Sequence, residues 1–147
     1  MLTAALARHL HASGLAQYDP DDPDDPDVET TAFLEDLPAQ PAAALGIYAT
    51  GGNAPSGAVG MRRPGVQVIV RGDRHNGRAR SGYEVAEAIL EALDGSGHVV
   101  WGAGTPDAVR VAWCLAKQSA PINLGDDANG SPRWSVRFDV ETNGAAE

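Results

Sequence analysis

Residues 64–95 constrain the fold more than any other stretch of this 147-residue chain. Between Val66 and Arg71 a valine stands at every second position, and branched side chains at a period of two are typical of a strand. From Tyr83 onward the apolar residues recur three and four positions apart with acidic residues between them, which predicts an amphipathic helix. Ser81 is a plausible N-cap and Gly95 a natural C-terminal stop. We therefore expect one buried strand, a loop and one helix around which the remaining elements are arranged.

The length and composition indicate one soluble domain that spans residues 1–147. A chain of this size can bury roughly 70% of its unfolded surface without disulfides or metals. The single cysteine, Cys114, excludes an intrachain disulfide and lies in an apolar strand pattern. No apolar run approaches the roughly 20 residues needed to span a bilayer, and no signal-peptide pattern precedes the first helix. These observations predict a protein made in a cytoplasm, with no membrane partner.

The remaining pattern predicts an α+β fold with one mixed, mainly antiparallel sheet and two helices packed on one face. A first helix is expected from Met1 to about Ser13, because leucines and alanines share one helical face before Gly14. Further strands are expected at residues 31–34, 44–49, 98–101, 109–115 and 134–141. The last two strands are predicted to form a long hairpin, with an Asn-Gly turn at residues 126–130 between them. If the strands at 66–71 and 98–101 are neighbours, the right-handed crossover through the helix makes them parallel.

Two segments are predicted to lack regular structure. Within residues 18–30, positions 19–27 contain only aspartate and proline. Repeated proline prevents helix and ladder formation and the like charges repel, so we expect residues 18–30 to form a solvated acidic linker. A calcium loop is the alternative, but the glycine turn and terminal glutamate of an EF-hand are absent. Residues 143–147 are predicted to be frayed.

One short segment between the central strand and its helix concentrates positive charge. It contains Arg71, Arg74, Arg78 and Arg80, together with His75, in a chain whose formal charge is -9. These four arginines are candidates for contact with a partner or with the lumen of an assembly. The alternative is a solvated loop whose arginines pair with nearby aspartates. Because tight duplex binding depends on clustered cations, the overall charge argues against DNA as a general partner.

No constellation in the sequence indicates catalysis. Serines occupy caps, turns or an exposed strand face, and neither a nucleophile elbow nor a phosphate-loop lysine is present. His9 and His11 point in different directions on the first helix and make a poor metal pair. Asp126 and Asp127 lie in a turn, where aspartates commonly serve the backbone. We therefore predict no catalytic, cofactor-binding or metal-binding residues.

Several stretches together resemble the minor capsid or tail terminator proteins of bacteriophages with long, non-contractile tails. The resembling pieces are Phe33-Leu34 with Leu37-Pro38, ALGIYATGG at 44–52, PGVQVIVRG at 64–72 running into AEAILEALDG, and SAPINLGDDANGSPRWSVRFDVE at 119–141. The resemblance covers most of the chain after the acidic linker, and it rests on the order and spacing of these pieces. The linker and the arginine cluster are not parts that the family is expected to share.

This resemblance implies a structural virion protein without catalysis or cofactors. Such a subunit assembles as a ring, typically a hexamer, on the head-proximal end of the tail tube, after synthesis in the host bacterial cytoplasm. There it stops tube growth and provides the surface for head-tail joining. Its implied partners are further copies of itself, the major tail tube protein and the head-tail connector protein, with DNA only as passing cargo.

Two other classes of function stay open at the level of sequence. The first is a soluble, non-viral protein-binding module that docks an acidic partner through the basic loop at residues 71–80. The second is a metal-dependent hydrolase that uses the acidic turns, which predicts metal binding lost on substitution of Asp126 and Asp127.

Overall fold

A computed structural model describes residues 2–18, 30–38, 43–51, 62–72, 82–128 and 130–145. Their helices and strands are α1 (Leu2–Ala12), β1 (Thr31–Leu34), β2 (Ala44–Ala49), β3 (Gly65–Arg71), α2 (Gly82–Leu93), β4 (Ser96–Trp101), β5 (Val109–Ala116), β6 (Ile122–Asp126) and β7 (Pro132–Ala145). The acidic linker, apart from its two end residues, and the basic loop beyond Gly72 lie outside the described residues, as does Ser81. Both predicted helices and all the predicted strands are present, and β6 is an additional strand.

The strands form one mixed sheet in the order β1-β2-β3-β7-β5-β4, with β6 paired to β7 off this path. Only β1 and β2 run parallel, and the other pairs are antiparallel. Helix α1 contacts β1 and β2 toward one end of this order and β4 at the other, so the sheet curls around the helix. The predicted α+β class with a mixed, mainly antiparallel sheet is confirmed.

The predicted long hairpin exists, but its first arm is made of two strands. β5 pairs with the C-terminal half of β7, and β6 pairs with its first residues along the same edge. The predicted Asn-Gly turn joins β6, not β5, to β7. β7 itself continues to Ala145, which is opposite Val109, whereas the alternating sequence pattern ends at Glu141.

A glutamine side chain bridges the gap between β5 and β6. Gln118 accepts a hydrogen bond from the Arg137 backbone N–H at 3.1 Å and donates one to the Ser135 carbonyl at 2.7 Å. Its side-chain amide therefore takes the place of a backbone group between β5 and β6, where the first arm has no regular strand. The two bonds satisfy the N–H of Arg137 and the carbonyl of Ser135 on β7.

One hydrophobic cluster contains side chains of both helices and of alternate sheet positions. The sheet contributes Leu45 and Ile47 from β2, Val66, Val68 and Val70 from β3, and Val136, Phe138 and Val140 from β7. The register places Ile47, Val68 and Val136 side by side across three strands. These residues define the inner face of the sheet, against which α2 packs. That α1 shares this same face with α2 stays a prediction.

The crossover from β3 through α2 to β4 does not join neighbouring strands. β7 and β5 lie between them, and three antiparallel pairings in succession make β4 antiparallel to β3. A parallel pair of β3 and β4 was expected only if the two strands were neighbours. They are not neighbours, so this pair does not form. The physical reason is that β7 pairs with β3 and so occupies the position beside it. The inner side chains of β7, Val136, Phe138 and Val140, then join the same hydrophobic core.

Candidate interaction surfaces

Arg71, the first of the predicted contact arginines, is buried at the end of β3. Its side chain is only 3% exposed, and its Nη1 lies 3.7 Å from Oδ2 of Asp127. Its Nη2 donates a 2.6 Å hydrogen bond to the carbonyl of Pro38. The guanidinium thus ties the segment after β1 and the turn before β7 to the end of β3. Arg74, Arg78 and Arg80 lie outside the described residues, so their contact with a partner or lumen stays a prediction.

Asp127 organises the turn between β6 and β7. Its Oδ1 accepts a hydrogen bond from the Ser131 backbone N–H at 3.0 Å, and its own N–H donates to the Ser131 carbonyl at 2.9 Å. Its carboxylate also faces Arg71. Across the described ranges, no three His, Cys, Asp or Glu side chains form a group that could hold a metal ion. Asp127 therefore has a structural role in this turn.

The histidines of α1 contact other parts of the fold. His9 stacks on Trp101 with ring centroids 5.9 Å apart, and the Nδ1 of His11 accepts a 3.2 Å hydrogen bond from the Tyr18 N–H. The neighbouring Arg8 bonds Asp107 at 3.2 Å. His9 and Arg8 thus fasten α1 to β4 and to the turn before β5, and His11 fastens it to the segment that follows the helix. Sequence reasoning missed the Arg8 pair, since 99 residues separate its partners.

The position of His9 predicts a pH-dependent stability. Burial lowers the pKa of His9 below 6.5, because its charged form loses hydration. The unfolded chain then binds a proton more readily, so this contribution is complete above about pH 6.5 and is lost as the pH falls toward the folded-state value. We expect His9→Gln to show a smaller loss of Tm than the wild type between about pH 7.5 and 5.5. His98→Asn, at an exposed position of β4, should retain the wild-type loss, and equal curves for His9→Gln and the wild type would contradict the assignment.

The outer face of the hairpin's first arm carries exposed apolar side chains. Three large hydrophobic residues of the described chain are exposed, namely Leu115 (49%), Ile122 (50%) and Leu124 (39%), and all three lie on β5 or β6. Leu115 is opposite Asp139 and Ile122 is opposite Ser135, both on the side of β7 away from the core. We call these three residues the arm patch. In the sequence, the alternation of Ile122 and Leu124 around Asn123 indicates a strand. The turn residues that follow made this short pattern hard to recognise.

The solvent side of α2 is acidic, in contrast to the apolar arm patch. Its exposed positions include the acidic residues Glu84, Glu87 and Glu91, and Asp94 follows directly after the helix. The hydroxyl of Tyr83 donates a hydrogen bond to the carboxylate of Glu87, and this bond raises the pKa of the tyrosine. Asp94 accepts a hydrogen bond from the Ala116 N–H of β5 at 2.9 Å, and we call the other three carboxylates the acidic helix face. They are the positions that the helical pattern placed between the apolar residues.

Cys114 supplies no reactive group to either surface. Its side chain is fully buried, and burial raises the pKa of the thiol to about 12, with Asp94 and Asp139 adding to the effect. The reactive thiolate is therefore scarce at neutral pH.

Most of the chain matches a known protein family. The family model described as "Bacteriophage tail terminator protein" matches residues 9–143. The chain belongs to the bacteriophage tail terminator family. As a tail terminator it has a structural role in the phage tail and is a component of the virion. No curated protein matches this tail terminator individually.

The family match extends further than the sequence resemblance indicated. It begins within α1 and ends in β7, so it includes the acidic linker as well as the arm patch and the acidic helix face of this tail terminator. None of its described helices has the length and apolar character needed to cross a membrane.

Proposed function

We propose that this tail terminator forms a ring, typically of six copies, on the head-proximal end of the tail tube. There it stops the growth of the tube and provides the surface on which the head connector docks. The observation that carries the proposal is the family match over residues 9–143. The partners are accordingly other copies of the chain, the major tail tube protein and the head-tail connector protein.

The form of the subunit is compatible with such an assembly. A ring requires a heterologous interface, in which two different surfaces of adjacent copies meet and the rotation closes. Among the described strands, β6 pairs only with β7, and all its residues are exposed. A monomer in water therefore leaves both an unpaired strand edge and the arm patch uncovered, and natural proteins usually cover such edges.

The charge of the subunit suits a channel through which DNA passes. The formal charge of -9 is repeated in every copy of a ring. A DNA duplex in the lumen of an acidic ring gains little from phosphate neutralisation, because that gain requires clustered lysine and arginine. DNA is thus passing cargo and not a bound partner in this proposal.

Deletion of the gene from the parent phage tests the proposal. We expect tails of uncontrolled length and free heads without joined tails in negatively stained lysates, and normal particles again when the wild-type gene is supplied on a plasmid. In particles complemented by an epitope-tagged copy, antibody label should lie at the head-tail junction. Normal virions from the deletion strain, or label along the whole tube, would contradict the proposal.

A further inference from the structure

We propose that the arm patch of one copy docks on the acidic helix face of the next copy, and that this contact repeats around the ring. This inference rests on the proposed ring and names the two surfaces that form it. The partner that covers the arm patch is therefore a second copy of the same chain.

The two surfaces lie on opposite sides of the same sheet. Helix α2 packs its buried side chains on the inner face, through contacts with β3, β5 and β7, so the exposed Glu84, Glu87 and Glu91 lie on the side of the helix away from the sheet. Leu115 and Ile122 of the arm patch belong to the outer face, since their partners Asp139 and Ser135 alternate with the buried inner side chains of β7. Leu124 is exposed at the irregular pairing between Asn123 and Gly125. Two different surfaces on opposite sides of a subunit form head-to-tail contacts, which is the geometry that generates a ring.

Three cations lie beside the arm patch, along with Asp139, which is opposite Leu115, and the exposed Asp126 of β6. Lys117 lies in the connection after β5, and its side chain is 52% exposed while its Nζ is 3.7 Å from Asp139. Arg137 is exposed on the outer face of β7, next to Asp139. Arg133 directs its guanidinium to the carbonyls of Leu124 and Gly125 on β6. Apolar side chains bordered by cations are complementary to a surface that offers carboxylates and small apolar groups.

The acidic helix face has that composition. Ala92 is exposed and Ala88 half-buried between the carboxylates of α2, so larger apolar side chains of a neighbour can approach the helix closely. Glu87 and Glu91 stand one turn apart, and like charges at this spacing weaken an isolated helix. The last turn also lacks a basic residue to balance the helix dipole. The face therefore lowers the stability of a single copy, and cations from a neighbour would relieve this cost.

Site-directed crosslinking on assembled tubes tests the contact. Ile122→Cys and Ala92→Cys place one thiol on each surface, while the native Cys114 stays buried and unreactive. Tail tubes are capped with the variants and treated with a short bismaleimide, and part of each sample is examined by electron microscopy. We expect the double variant to give a ladder of covalent oligomers, a mixture of the two single variants to give dimers, and each single variant alone to stay monomeric.

The matched control pairs Ile122→Cys with Ala103→Cys, an exposed position in the turn after β4. We expect at least about tenfold less crosslinked product from this pair, because only adjacent thiols benefit from a high effective concentration. Rings on tube ends without crosslinking between positions 122 and 92 would overturn the inference and leave the proposed function standing. Crosslinking of Ile122→Cys to itself would show an isologous contact and would also overturn it. Tube ends without any ring would overturn the proposed function, and the inference with it.

Charge reversal provides a second test. Glu87→Lys with Glu91→Lys should reduce the occupancy of tube ends by about tenfold, because like charges then meet across the contact. The subunit itself should stay folded, because two lysines replace two glutamates at exposed positions and better balance the helix dipole. The substitution removes the hydrogen bond between Tyr83 and Glu87, which is at the surface. Adding Lys117→Glu and Arg137→Glu to the same chain should restore capping. Failure of the four-residue variant to cap tubes, with its fold intact by circular dichroism, would count against the pairing of these surfaces.

Discussion

Replacing Arg71 with alanine is expected to lower the free energy of unfolding by about 3 kcal/mol, which is near the lower end of the effect of breaking a buried ion pair. The substitution removes the donor to the Pro38 carbonyl and the cation beside Asp127. Asp127 then keeps a largely buried charge without this partner, and the turn before β7 loses its connection to the end of β3. The Asp127 side chain is 16% exposed, so water can reach it in part and moderate the loss. Urea denaturation followed by tryptophan fluorescence measures the change.

The matched control is Arg137→Ala, because Arg137 is exposed on the adjacent strand. Its stability should stay within about 0.5 kcal/mol of the wild type. A double-mutant cycle with Asp127→Asn isolates the pair, since asparagine retains an acceptor for the Ser131 N–H. If Arg71→Ala and Arg137→Ala were equally stable, the guanidinium would not hold these segments together.

The burial of Arg71 shows what the sequence could not provide. In the sequence, Arg71 is one of four arginines within ten residues, and their common property is charge. In the structure Arg71 is the last residue of β3, and its side chain contacts residues at positions 38 and 127. Neither partner is near Arg71 in the sequence, so no local pattern indicates that this arginine is buried.

The elements with a buried and an exposed side were predictable from periodicity. The pattern of α2 and the alternation of β3 and β7 follow from contact with one core, so the sequence carries their period directly. In strand β6 that signal is weak because all its residues are exposed and no core face selects them, so the strand is defined by its pairing with β7. Strand order was not predictable either, since it depends on β7 at the end of the chain pairing with β3 and β5.

The two proposed contact surfaces differ in the same way. The carboxylates of the acidic helix face were recognisable in the sequence as the polar side of an amphipathic helix. The arm patch required the structure, because the exposure of Leu115 could not be distinguished from core burial in an apolar strand. On β5, Cys114 is buried and Leu115 is half exposed, and only the register against β7 decides which side faces the core.

Replacing Phe138 with alanine is expected to lower the free energy of unfolding by about 3–5 kcal/mol, the usual range for removal of a buried phenylalanine. Phe138 is fully buried on the inner face of β7, between Val66 of β3 and Ala116 of β5. It lies where β7 is paired on both edges, so the surrounding backbone cannot easily collapse into the cavity. The loss follows from the removed apolar contacts and from the remaining void, and urea denaturation of the purified variant measures it.

Leu115→Ala is the control for Phe138→Ala, because Leu115 is on the neighbouring strand and points to the opposite side of the sheet. Its side chain is 49% exposed, so its removal should cost no more than about 1 kcal/mol. The same variant belongs to the arm patch and should cap tail tubes less well than the wild type while remaining folded. Phe138→Ala, by contrast, should lose capping only as far as it loses folded protein. If the two variants proved equally stable, the assignment of inner and outer faces along this hairpin would be wrong, and the docking surface inferred from it would have to be abandoned.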